Sequence, residues 1–157
     1  MSATTMKPRS MTTVSTLMSA ALAVAVLAFA PVAAHARVVH FASDLDTAKE
    51  VPPHTTDGAG TLKASYDTVS KAFDYEITYQ NLTGPAVAAH FHGPALAGHN
   101  APPVLPIAPD ALASPIHGHV VLTGDQAKDL LAGKWYFNVH TKTNPGGEIR
   151  AQVLKAD

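Results

Sequence analysis

The chain has 157 residues, room for one domain, with eleven basic against twelve acidic side chains and a formal charge of −1. No cysteine is present, which excludes disulfides, zinc–thiolate sites, CxxC redox centres and cysteine nucleophiles. The near-neutral charge argues against a nucleic-acid binder held by phosphate contacts, and the nine histidines almost match the eleven Lys and Arg.

Residues 1–36 read as an export signal. Lys7 and Arg9 precede a stretch from Met11 to Ala36 with no charged side chain and an alanine-rich apolar centre at 20–30. Pro31 and Ala34-His35-Ala36 then supply a small-x-small cleavage pattern. The apolar centre is shorter than the roughly 20 strongly apolar residues of a spanning helix, so cleavage after Ala36 is expected. The product, residues 37–157, is expected to be periplasmic or secreted, with no membrane attachment. All four methionines lie in the leader, so this product contains no sulfur.

Short strands dominate residues 37–157. Val38–Ser43 is a first candidate. Leu62, Ala64 and Tyr66 alternate with Thr61, Lys63 and Ser65. Phe73, Tyr75, Ile77 and Tyr79 alternate with Asp74, Glu76 and Thr78, the clearest period-2 run in the chain. Val87–His92, His117–Leu122, Trp135–Thr141 and Glu148–Leu154 complete the set. Turn chemistry separates them at Asp57-Gly58, Thr83-Gly84-Pro85, Gly93-Pro94 and Asn144-Pro145-Gly146-Gly147. Ala101–Pro115 contains five prolines and reads as a long loop crossing one end of the fold, since it cannot be a central strand. One short helix is expected near 124–132, with Thr123 as cap, Gln126 as its capping-box partner and Gly133 as the stop. The pattern predicts an all-β domain over 37–157, an immunoglobulin-like or Greek-key β-sandwich with one short helix.

Two long motifs resemble a known family. Ala89-His90-Phe91-His92-Gly93-Pro94-Ala95 with Gly98-His99-Asn100, and Asn138-Val139-His140-Thr141 with Asn144-Pro145-Gly146-Gly147-Glu148-Ile149-Arg150, are similar to the two signatures of the chordin-type CHRD domain. Glu50-Val51-Pro52-Pro53 is similar to the start of that domain. Phe91, where an aliphatic is usual, and Ala151, where glycine is usual, depart from the pattern. The resemblance implies an exported immunoglobulin-like sandwich and says little about activity.

The histidines carry the candidate chemistry. Residues i and i+2 of a strand share a face about 6.6 Å apart, so His90 and His92 can converge on one ion. Trp135, Phe137 and Val139 make an apolar face and leave Tyr136, Asn138 and His140 on the other. If the two strands are neighbours, His140 supplies a third ligand. His117-Gly118-His119 is a second HxH, and His99 sits in a glycine turn; His117 or His99 is expected to add a fourth ligand or form a looser second site. His40, His54 and His119 read as solvated. With no thiolate or thioether in the exported chain, imidazole suits Cu(II) and Zn(II), with copper ahead in affinity.

Other chemistries lack support. No serine stands in a GxSxG context, and no glycine-rich phosphate loop is present. Asp44, Asp46 and Glu50 fit no calcium-loop template and read as a solvated acidic turn. The leading expectation is a non-catalytic metal-binding module that stores, buffers or delivers copper or zinc. The alternatives are a copper-only enzyme similar to superoxide dismutase, with Arg150 guiding anions, and a protein-interaction sandwich with structural histidines.

Overall fold

The computed structural model describes residues 1–3 and 37–156. The expected leader, residues 1–36, therefore lies outside the described residues apart from its first three. Eight strands follow in chain order: β1 (Val38–Asp46), β2 (Ala59–Asp67), β3 (Ala72–Gln80), β4 (Ala86–His92), β5 (Pro103–Pro106), β6 (Ile116–Val121), β7 (Tyr136–Thr141) and β8 (Ile149–Gln152). One helix, α1 (Gly124–Leu131), leads into β7. Among the described residues no helix is long and apolar enough to cross a membrane.

The strands form one antiparallel sheet in the order β5-β4-β7-β8-β1-β2-β3-β6. Hydrogen bonding is continuous from edge to edge, and it thins at the β8–β1 join to the Asp46–Arg150 pair and an isolated bridge between Phe41 and Lys155. The sheet curls so that β3 faces β4, with the Phe73 and Phe91 rings 5.5 Å apart and Tyr75 and Phe91 5.0 Å apart. Period-2 alternation produces this packing directly. Phe73 and Ile77 of β3, Leu62 and Tyr66 of β2, Ala89 and Phe91 of β4, and Phe137 and Val139 of β7 are all buried in one apolar cluster.

The capping box holds as expected. The Thr123 hydroxyl accepts from the Gln126 N–H at 3.2 Å, and the Gln126 side chain accepts from the Thr123 N–H at 2.9 Å. Gly133 ends the helix with φ +69°, and Leu130 is buried against the sheet.

The proline segment differs from its reading as a loop. Pro103–Pro106 pairs with β4 as an edge strand, and Pro109–Ala111 makes a single 3-10 turn. Proline lacks an N–H, so it is tolerated where only one side of a strand needs partners, and β5 is the last strand of the sheet.

Phe73 is the hub of the core, with edge-on contacts to Phe41 at 6.4 Å, Phe91 at 5.5 Å and Trp135 at 6.0 Å. Phe73→Ala should lower unfolding stability by roughly 3–5 kcal/mol, measured as a shift in the urea midpoint of the metal-free chain.

Candidate metal centre

β4 and β7 are neighbours, and their register pairs Ala88 with His140, His90 with Asn138 and His92 with Tyr136. His90 and His92 point away from the apolar cluster because Ala89 and Phe91 point into it. His140 stands diagonally next to His90 for the same reason. The three imidazoles each offer one nitrogen, and these nitrogens lie within 4.8 Å of one another. His90 Nδ1 and His140 Nε2 are 3.2 Å apart. Two nitrogens bound to one tetrahedral ion at 2.0–2.1 Å stand about 3.3 Å apart, so this pair already has the spacing of co-ligands.

Backbone carbonyls set the orientation of two rings. His92 Nδ1 lies 2.8 Å from the Ala101 carbonyl and His140 Nδ1 lies 3.0 Å from the Pro145 carbonyl. A carbonyl can only accept, so both Nδ1 atoms donate and both Nε2 atoms keep a lone pair. His92 Nε2 is buried with no hydrogen-bond partner, an orphan acceptor. Burial holds all three imidazoles below their ordinary pKa, and repulsion from His140 and His92 adds to the effect at His90. At neutral pH the cluster is a set of uncharged nitrogen donors.

A polar layer surrounds the triad, and every residue of β7 is buried on both faces. Tyr136 stacks on His92 at 4.6 Å with an interplanar angle of 4°, and the Arg150 guanidinium lies 3.4 Å from the centre of the Tyr136 ring. Arg150 also donates to Asn100 Oδ1 at 2.9 Å and to the His99 carbonyl at 2.7 Å. It is 1% exposed, so the anion-guiding role expected of it has no structural support.

Two glutamates complete the layer with opposite behaviour. Glu50 is 3% exposed rather than solvated, and burial pushes its carboxyl up to about 7 against the attraction of Arg150, the Asn138 amide and the Val51 N–H. Glu148 is also buried, but its carboxylate accepts from the Thr141, Thr83 and Thr56 hydroxyls and from the Thr83 N–H. Burial would raise it, and these hydrogen bonds outweigh burial and hold it down at about 2. Gly147, at φ +124°, has no room for a Cβ between the Glu50 carboxylate and the Asn138 amide. The second glycine of Pro145-Gly146-Gly147 is therefore fixed by backbone conformation and by close approach together.

The other predicted site residues lie elsewhere. His99 is exposed, and its backbone carbonyl rather than its ring is used, by Arg150. His117 is on β6, the opposite edge strand from β5, where it faces Glu76 at 3.7 Å. Neither joins the triad. Sequence reasoning missed Tyr136, Asn138, Arg150 and Glu50 as members of the buried layer, although alternation along β7 already put Tyr136 and Asn138 on the face of His140.

A family model for the CHRD domain matches residues 41–153. The chain belongs to the CHRD domain family. No curated protein and no solved structure gives a match. All three triad histidines of this CHRD domain fall inside the matched span, as do the carbonyls of Ala101 and Pro145 that orient two of them.

The two glutamates predict opposite pH effects. Between the ordinary 4.5 and about 7, folded Glu50 binds more protons than the unfolded chain, so its contribution to stability falls as pH rises through that window. Glu50→Gln should remove that slope. Glu148 contributes stability above 4.5 that is lost as pH falls towards about 2, and Glu148→Gln should flatten the acid limb. Urea midpoints measured across a pH series check both signs.

Proposed function

We propose that this CHRD domain is an exported, non-catalytic module that binds Cu(II) or Zn(II) through His90, His92 and His140. The observation that carries the reading is the convergence of three imidazole nitrogens, one from each histidine, within 4.8 Å. Three imidazoles suit these two ions, and the affinity order favours copper. The carbonyls behind His92 and His140 supply the outer support that metal-bound imidazoles ordinarily have. A role in holding an ion rather than transforming an organic substrate is supported by the position of two concavities. One of about 390 Å³ is lined by Tyr79, Leu82 and Leu112, and one of about 430 Å³ by Leu45, Thr61 and Thr78, all away from the triad. We read the curled sheet as a Greek-key sandwich of immunoglobulin type, serving here as a rigid frame for the ligands. Export rests on the basic start, apolar centre and Ala34-His35-Ala36 of the leader. Intact mass of the exported product should show a chain beginning at Arg37, and a full-length, membrane-bound species would refute export with cleavage.

Titration of the metal-free chain with copper and with zinc tests the site. His140→Ala should weaken binding on the order of 100-fold or more, because two histidines on one strand make a poor chelate, and His54→Ala should change little. The fold should survive His140→Ala, since the apolar cluster lies on the opposite face of β7. Because the three pKa values lie below 6.5, affinity should be flat above that pH and fall steeply below it as protons compete for the same nitrogens. Equal affinity of wild type and His140→Ala at neutral pH would defeat the reading.

A further inference from the structure

The second HxH lies on a different face. β6 pairs with β3 so that His117 stands directly opposite Glu76 and His119 directly opposite Asp74. Ile116 points into the core, so His117 and His119 both point out, as do Asp74 and Glu76 flanking the buried Phe73 and Ile77. His119 Nδ1 is 2.6 Å from Asp74 Oδ1, and His117 Nδ1 is 3.7 Å from Glu76 Oε2. The four side chains are 48–62% exposed, open to an ion from solvent. Directly opposite Cβ atoms are about 5 Å apart and successive same-face residues about 6.6 Å apart, so the four side chains surround one small rectangle. They must swing inward to share an ion, since no three of their donor atoms lie within 4.8 Å of one another as those of the triad do.

The frame is rigid because of what lies beneath it. Gly118, between the two histidines, covers the Tyr75 ring so closely that a Cβ there would overlap it. Tyr75 in turn packs edge-on against Phe91 at 5.0 Å. The glycine of His117-Gly118-His119 is thus demanded by the core, and the two histidines are held on a backbone that cannot shift freely against β3.

We propose that His117, His119, Asp74 and Glu76 form a second divalent-cation site, independent of the triad. Two imidazoles and two carboxylates suit a borderline ion such as Zn(II), and the two carboxylate charges neutralise it, which the uncharged triad cannot do. The ion replaces the two separate imidazole–carboxylate pairs with one shared centre. The groups facing it from the adjoining strands are Lys63, opposite Glu76, Ser65, opposite Asp74, and His40 beyond Ser65 on β1. The Lys63 ammonium opposes a cation there, so Lys63→Gln should tighten the site several-fold.

The test is zinc titration of the purified, tag-free chain at about pH 7.5, read by calorimetry and by metal content after equilibrium dialysis. The His117→Ala/His119→Ala double variant should bind one zinc ion fewer per chain than the parent. Asp74→Asn/Glu76→Gln should weaken that same ion at least about tenfold. His140→Ala should retain it, and His140→Ala combined with the double histidine variant should bind none. Far-ultraviolet dichroism should be unchanged, because all four groups are exposed. Unchanged zinc stoichiometry in the double histidine variant overturns the second site, whatever His140→Ala does. Unchanged affinity in the carboxylate variant overturns the four-ligand composition. Loss of all binding in His140→Ala alone overturns independence. If only the surface variants lose zinc, the triad reading fails and this site stands.

Discussion

The antiparallel register of β4 on β7 is the constraint on which the other features depend. Side chains alternate with a period of two, so a slip of β4 by one residue would send His90 and His92 into the core and Ala89 and Phe91 out of it. The cost of exposing those two apolar side chains, together with burying unpaired imidazoles, fixes the pairing. The apolar cluster therefore builds the donor set from behind. Hydrophobic packing alone thus places the three imidazoles of the triad side by side.

The same strand shows how a buried polar face is made tolerable. β7 sits between β4 and β8, and its outward side chains are covered as fully as its inward ones. Tyr136 fills the space between a neutral imidazole and a guanidinium, and Arg150 directs its donors to Asn100 and the His99 carbonyl. Glu50 and Glu148 differ only in company. Four hydrogen bonds reach Glu148, whereas Glu50 Oε1 has none. One carboxylate is stabilised as an anion by its partners and the other is kept near its protonated form by its burial.

Much of this was legible in the sequence, for identifiable reasons. Alternation from Phe73 to Tyr79 and from Trp135 to Thr141 reports which face each side chain takes, so the triad could be assembled once two strands were assumed adjacent. Thr123 and Gln126 define a helix start by local hydrogen bonding alone, and that too was readable. What escaped depends on long-range placement. Glu50 is buried because its segment lies near Gly147 and Asn138, which are far away along the chain. The prolines of β5 become a strand only because an edge position was free. The roles of the Ala101 and Pro145 carbonyls belong to the backbone, which carries no residue code.

Glu148 ties together segments that are distant in the chain: the loop at Thr56, the turn at Thr83 and the end of β7 at Thr141. A single acceptor serving all three makes their motions mutually dependent. None of them can swing out without stripping partners from the carboxylate that the others still hold, so opening one is opposed by all. Backbone amides in these segments should then exchange with solvent as a cooperative group rather than as three independently fraying loops. The rim beside His140 behaves, in that sense, as part of the folded core although it is composed almost entirely of turns.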